Sequence, residues 1–256
     1  MAVTNSLTRF SDRVEDYVRS RPGYPPEVLE WLTNTYGLSP DQVVADVGSG
    51  TGISSKLFLQ NGNRVFGVEP NRDMRLAAEH ELGRFERFHS IDARAEATTL
   101  PDGSVQWVIA AQAFHWFDVE ACRCEFRRIL TANGKVALLW NDRREDTPFL
   151  KQYGELVRDY STDYQAICHR NAQTDGRIER FFSPGSPRQH LFPNHQDFDF
   201  AGLKARLLSS SYMPRDKDPR FDPMMKALEQ LFERYAASGK VRFSYDTMLL
   251  VGSISS

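Results

Sequence analysis

The chain has 256 residues, 41% of them hydrophobic, enough for one sizeable α/β core with about a third of the length left for a cap. Its 32 Lys and Arg against 34 Asp and Glu give a net charge of −2, which leaves no general field to draw in nucleic acid. Met1 to Phe10 lacks the apolar centre of a signal peptide, and the longest aliphatic-aromatic run, Val136 to Trp140, is far too short to span a bilayer, so a cytoplasmic protein with no membrane partner is expected.

In chain order, Phe10 to Arg19 has the rhythm of a helix, and Pro25 to Tyr36 reads as a second with proline in its first turn. Val43 to Val47 is an apolar strand running into a glycine turn and the helix Ile53 to Gln60. After the Asn61-Gly62-Asn63 turn come a strand at Arg64 to Val68, a helix at Arg72 to His80, and strands at Phe85 to Ile91 and Val105 to Ala111. A helix at Glu120 to Leu130, a turn at Asn133-Gly134 and a fifth strand at Lys135 to Trp140 follow. Repeated β-α units with short connections imply a doubly wound parallel sheet with right-handed crossovers. Cys122 and Cys124 lie two apart on a helix and so face different ways; with Cys168 they read as packing residues, an odd set that fits a reducing compartment. The pairs Arg127-Arg128 and Arg143-Arg144 read as solvated surface.

Beyond Asn141 the pattern changes to polar and aromatic sequence rich in turn formers. Helices are expected at Phe149 to Tyr160, Gly202 to Ser209 and Met224 to Ala237, and strands within Gln189 to Phe200 and at Val241 to Ser253. Three regions result: lid helices over 1–36, a cofactor-binding core over 37–141, and over 142–256 a helical cap with the last two strands.

The segment Val43-Val44-Ala45-Asp46-Val47-Gly48-Ser49-Gly50-Thr51-Gly52 is a buried strand turning sharply into a helix, where backbone can touch a ligand. Glu69 ends the next strand, 23 positions after Asp46, where a neighbouring parallel strand would bring a carboxylate to two ribose hydroxyls. A dinucleotide fingerprint needs G-x-G-x-x-G, and the third place is Ile53 counted from Gly48 or Ser55 counted from Gly50. The residues indicate a nucleoside cofactor without that fingerprint.

The spacing acid-x-G-x-G-x-G resembles the first motif of the class I S-adenosylmethionine-dependent methyltransferases. Glu69-Pro70-Asn71-Arg72-Asp73-Met74 resembles the second motif of their small-molecule group known as type 11. Ala93-Arg94-Ala95-Glu96 with Leu100-Pro101-Asp102 is similar to its third, and Ala110 to Asp118 to its fourth. Phe10 to Tyr17 with Arg21-Pro22-Gly23-Tyr24-Pro25 resembles the group's N-terminal segment. The likeness spans roughly residues 10–141; Ser209-Ser210-Ser211-Tyr212 and Phe243-Ser244-Tyr245-Asp246-Thr247 are more loosely similar to trans-aconitate methyltransferases.

The resemblance implies a Rossmann-like, mainly parallel seven-stranded sheet with a helical cap, S-adenosyl-L-methionine as cofactor, and a small-molecule substrate, for which a carboxylate or hydroxyl acceptor is expected. Asp46, Gly48, Ser49, Gly50 and Gly52 would pass under the methionyl part, Glu69 would hold the ribose, and Pro70 and Met74 would pack on the nucleoside. Ala95 and Glu96 would wrap the adenine, Gln112 and Ala113 would flank the cofactor at the end of strand four, and Tyr17 and Arg21 would close near the methionyl carboxylate. Where many relatives place an aspartate before the Ala-Glu pair, this chain has Arg94, which leaves backbone carbonyls, Glu96 or Asp92 for the adenine amino group.

His115 is the candidate general base, since its reference pKa lies near neutrality and it ends a strand on the ligand side; a packing role between Phe114 and Trp116 is equally open. Trp116, with His115, is a candidate substrate contact, because a ring face attracts a cation. His169, His190 and His195 do not have zinc-ligand spacing, and no metal is expected. Two other classes fit part of the pattern: an NAD-dependent oxidoreductase on the same sheet, and a catalytically silent cofactor-binding partner protein. A monomer or homodimer is expected.

Overall fold

The computed structural model describes residues 20–162, 176–210 and 212–254. The helix expected at Phe10 to Arg19, together with Tyr17, Cys168, His169 and Ser211, lies outside them.

The centre of the molecule is a seven-stranded sheet in the order β3-β2-β1-β4-β5-β7-β6. β1 (Val43–Val47), β2 (Arg64–Val68), β3 (Phe88–Ile91), β4 (Val105–Ala111) and β5 (Leu130–Arg143) are parallel. β1 and β4 are buried along almost their whole length because helices cover both faces, which is why they read as unbroken apolar runs. β7 (Val241–Gly252) is inserted antiparallel between β5 and β6 (Arg188–Phe198). A dinucleotide-binding sheet has the order 3-2-1-4-5-6, so the inserted β7 separates this topology from a nicotinamide fold.

Helices α1 (Glu27–Tyr36), α2 (Ile53–Gln60), α3 (Arg72–Leu82) and α4 (Val119–Ile129) cover the parallel part of the sheet. Side-chain caps start two of them, α3 and α4: Asn71 Oδ1 accepts from Met74 N at 3.0 Å and Asp118 Oδ1 from Ala121 N at 3.0 Å. The Asn133-Gly134 turn expected ahead of the fifth strand lies inside β5 instead. Val105 pairs with Leu130 and Trp107 with Lys135, so a bulge absorbs the extra residues.

The cap comprises α5 (Pro148–Tyr160), α7 (Phe200–Leu208) and α8 (Phe221–Tyr235), which share an apolar cluster with Phe198, Val241, Phe243 and Tyr245 at one end of β6 and β7. The two antiparallel strands thus extend past the parallel sheet and serve as the floor of the cap. A short helix not anticipated from the sequence, α6 (Arg177–Phe182), drives Phe181 against Phe114, ring centroids 5.1 Å apart, and so braces the end of β4.

Two surface expectations are corrected. Cys122 is buried on α4 but Cys124 is exposed, because only one face of an amphipathic helix can meet the core. Arg128 and Arg143 are engaged rather than solvated: Arg128 pairs with Glu125 at 2.7 Å and Asp102 at 2.6 Å, and Arg143 pairs with Glu145 at 3.0 Å while lying 4.9 Å over the Tyr153 ring. Among the described residues no helix is long and apolar enough to cross a membrane.

Candidate functional site

The glycine turn between β1 and α2 serves three purposes, one per glycine. Gly48 (φ +70°) is a packing glycine: a Cβ there would stand 2.5 Å from the Ala113 Cβ, so the loop after β4 presses directly on it. Gly52 (φ +83°) opens α2 where a Cβ would meet Leu82. Gly50 (φ +56°) differs, because nothing lies within 4 Å of where its Cβ would be. Its bare backbone faces open space, which is what a ligand in contact with main chain requires.

Glu69, at the end of β2, accepts from Gly50 N at 3.0 Å and from Asn71 N at 2.8 Å. Two of roughly four acceptor positions on a carboxylate are then used, and the others are left for a diol. Burial raises the Glu69 carboxyl above its ordinary value, opposed by the Asn71 and Gly50 N–H groups and the Arg75 charge. Arg75, which the sequence reading missed, donates to the Glu69 carbonyl at 2.9 Å and to Asp92 at 2.7 Å, tying the ends of β2 and β3 together. Asp92 is thereby engaged. Met74 is buried one turn into α3, and Pro70 is half-buried beside Glu69.

Asp46 sits under the turn rather than in it. It is fully buried, and its Oδ2 accepts from the hydroxyls of Ser54 (2.7 Å) and Ser55 (2.6 Å) on α2. Oδ1 and the buried hydroxyl of Thr51 have no hydrogen-bond partner among the described residues. Two orphaned polar atoms beside an open glycine mark a place that a polar ligand would complete.

The segment carrying Ala95 and Glu96 is held by α4. Thr98 donates from both N (2.7 Å) and Oγ1 (2.6 Å) to Glu125, and Glu96 accepts from Asp118 N at 3.1 Å. Arg94 is exposed, its carbonyl closing a local turn with Ala97 N. Desolvation of Glu125 is outweighed by hydrogen bonds from Arg128 and Thr98, so its carboxyl stays below the ordinary range.

At the end of β4, Gln112 takes a left-handed conformation (φ +57°), rare for a side chain with a Cβ, and donates from Nε2 to the Asn141 carbonyl at 3.2 Å. Ala113 is buried against Gly48. Phe114, His115 and Trp116 form a 3₁₀ turn in which Phe114 is wholly buried and the His115 and Trp116 rings lie 4.9 Å apart, both half-buried.

A cleft joins these pieces, lined by Gly48 to Thr51, Gln112, Asn141, Arg21, Tyr24 and, from the cap, Arg206. Of the residues singled out in the sequence it gathers Arg21, Gly48, Ser49, Gly50 and Gln112, with Glu69 bonded to it through Gly50. His115 follows Gln112 by three positions; it, Trp116, Met74, Ala95 and Glu96 do not line this cleft. Arg21 donates to the Ser209 carbonyl of the cap at 3.0 Å. The Gly23 carbonyl accepts from Asn141 (3.2 Å) and Asn194 (2.9 Å), so the segment leading to α1 is pinned to the sheet beside the cleft. Asn141, Asn194 and Arg206 have no motif around them and escaped the sequence reading. Among the described residues no group of three His, Cys, Asp or Glu side chains could hold a metal ion.

Residues 45–138 match the model of a family described as a methyltransferase domain. Over 255 residues, 97% of this chain and 96% of the other, the protein is 29% identical to an uncharacterised methyltransferase-like protein of Schizosaccharomyces pombe. It is 32% identical to an uncharacterised methyltransferase of Mycobacterium tuberculosis over 148 residues, 58% of each chain. In fold it is similar to a structure from Anaeromyxobacter dehalogenans provisionally described as a type II methyltransferase, with a TM-score of 0.65 and 23% identity over 91% of this chain and 98% of that one. The matched domain, the relatives and the sheet order agree in likening the chain to methyltransferases.

Proposed function

We propose that the protein transfers the methyl group of S-adenosylmethionine to a small molecule held between the glycine turn and the cap. The observation that carries this reading is the pairing of Gly50, whose bare face is open, with Glu69, whose carboxylate is fixed by the Gly50 N–H and keeps acceptor capacity for a diol. Glu69 would hold the ribose hydroxyls, Ser49 and Thr51 the methionyl end, and Arg21 its carboxylate. Ala95, Glu96 and Met74 would surround the nucleoside, with Tyr17 closing from the N-terminal segment.

When bound, the cofactor supplies a methyl group already made electrophilic by its sulfonium. What is left to the chain is to align an acceptor, exclude water and remove a proton where the acceptor carries one. His115 is the base in this reading, and Trp116 lies beside the acceptor. The inserted antiparallel β7 and the absent third glycine speak against a nicotinamide coenzyme.

Calorimetry with S-adenosylmethionine and with NAD tests the cofactor. Binding of the first and not the second is expected, and Glu69→Ala should weaken it by about 1.5 to 3 kcal/mol, the range for hydrogen bonds to a charged group. Unchanged affinity in Glu69→Ala would remove the ribose assignment. Radiolabelled cofactor incubated with a panel of carboxylates and phenols tests transfer; a protein that binds cofactor and labels none would be a silent binding partner.

A further inference from the structure

Two arginines meet at the last turn of α7, where the cap reaches the cleft. Arg21 Nη2 donates to the carbonyl of Ser209, the residue that ends α7, at 3.0 Å. A cation at the C-terminus of a helix satisfies a carbonyl that has no partner within the helix and opposes the negative end of its dipole. This guanidinium therefore fastens the N-terminal segment to the cap. Arg206, three positions before Ser209, lines the same cleft as the glycine turn.

The surroundings of Arg206 are unusual for a half-buried guanidinium. The groups around it are the phenols of Tyr245, Tyr153 and Tyr212, whereas Arg75, Arg128, Arg143, Arg220 and Arg242 have each found a carboxylate. Among the described residues its one hydrogen bond runs from Nε to the Tyr245 hydroxyl at 3.4 Å, and that hydroxyl donates to Gln196 Oε1 at 3.1 Å. The Nη edge of the fork thus has no protein acceptor among them. Burial keeps the Tyr153 phenol protonated, its pKa pushed up to about 12, so no phenolate there supplies the missing charge. A partly desolvated cation without a counter-ion is costly, and a planar fork of donors on a cleft wall is matched by the two oxygens of a carboxylate. S-adenosylmethionine carries one carboxylate, at its methionyl end, and the glycine turn assigned to that end lines the cleft that Arg206 lines.

We propose that Arg206 is the cap's own contact to the cofactor: with Arg21 it takes the methionyl carboxylate, so that bound cofactor ties α7 to the glycine turn. The inference rests on the methyl-transfer reading and deepens it. Arg21 already joins α7 to the N-terminal segment through the Ser209 carbonyl, and the cofactor adds a second tie, from the same helix to the core. Cofactor binding then steadies the part of the cap that faces the cleft, because a ligand held by both sides stabilises the arrangement that brings them together.

The test titrates the full chain calorimetrically with S-adenosylhomocysteine and with its carboxamide, which keeps the shape of the ligand and loses the negative charge. The wild type is expected to prefer the acid by about tenfold or more, in keeping with an ionic contact. Arg206→Met should weaken binding of S-adenosylhomocysteine by about 10- to 100-fold and that of the carboxamide by less than about threefold, since only the acid has the charged contact to lose. Arg206→Lys, which keeps the charge without the fork, should fall between the two and carries the measurement if the methionine variant melts early. In amide exchange, S-adenosylhomocysteine should raise protection over residues 200–208 in the wild type and not in Arg206→Met. Affinity that holds in both variants, an equal loss for acid and carboxamide, or exchange over 200–208 that does not respond to S-adenosylhomocysteine in the wild type would overturn the proposal. Equal binding of acid and carboxamide by the wild type would overturn it too, while leaving the methyl-transfer reading in place. Failure of the wild type to bind S-adenosylhomocysteine would overturn that reading itself, and this proposal with it.

Discussion

Asp46 shows how a fully buried side chain can underlie a candidate ligand site. Burial pushes its carboxyl up to about 6, although the Ser55 and Ser54 hydroxyls favour the ionised form. A carboxyl whose folded value lies above its unfolded one holds its proton longer in the folded chain, so its contribution favours folding at low pH and is lost as pH rises through that interval. Relative to Asp46→Asn, the wild type should lose about 2 to 3 kcal/mol of stability between roughly pH 4 and pH 7. Denaturant unfolding of both proteins across that range checks this; a constant difference would mean Asp46 titrates normally. For His115 the relevant measurement is kinetic. A general base contributes about 100- to 10,000-fold, so His115→Gln should lower turnover by at least about 100-fold while melting temperature and cofactor affinity hold. Turnover that persists, or is lost only with folding, makes His115 a packing residue.

Among the elements, α4 has the greatest reach beyond itself. Through Glu125 it fixes Thr98, and through Thr98 the segment that brings Ala95 and Glu96 to the nucleoside region. Glu125→Ala should therefore cost about 2 to 4 kcal/mol by stranding Arg128 and the Thr98 donors, and weaken cofactor binding as well. Because desolvation of Glu125 is outweighed by Arg128 and Thr98, its folded pKa lies below the unfolded value, so this contribution is present at neutral pH and fades as pH falls through the folded pKa. Chemical denaturation of Glu125→Ala and wild type near neutrality and in acid checks both statements; equal stability at neutral pH would sink them. The parallel half of the sheet was legible because β1 and β4 are buried apolar runs and β1, β2 and β4 are each followed by a helix. β5 was legible only in part, since Asn133-Gly134 carries the chemistry of a turn and only the pairing with β4 turns it into a bulge. α6 was too short to show a period. Arg206 and Asn141 stand in no motif, and their meaning comes from neighbours 39 and 118 positions away.

At the scale of the whole molecule, the N-terminal segment, sheet and cap meet at one point. Asn141 on β5, Asn194 on β6 and Thr247 on β7 form a hydrogen-bonded knot that holds the Gly23 carbonyl. Asn141→Ala should release that carbonyl, and amide exchange over residues 20–30 should then rise while the centre of the sheet keeps its protection. Cofactor affinity should fall in the same variant, because Arg21 is placed by this anchor. Exchange that stays at the wild-type level over 20–30 would show that Arg21 and α1 hold the segment unaided.

The insertion of β7 also sets the order in which the chain can be completed during synthesis. β6 is made at 188–198, yet its only partner strand is β7 at 241–252. Until roughly fifty further residues have left the ribosome, β6 is a strand with nothing to pair with, and β5 presents a bare edge where β7 will lie. Over that interval the nascent chain carries two unpaired β edges, the kind that invite intermolecular association. The cap helices, made between and after these strands, are the segments available to shield them, so the cap doubles as a temporary cover for an unfinished sheet.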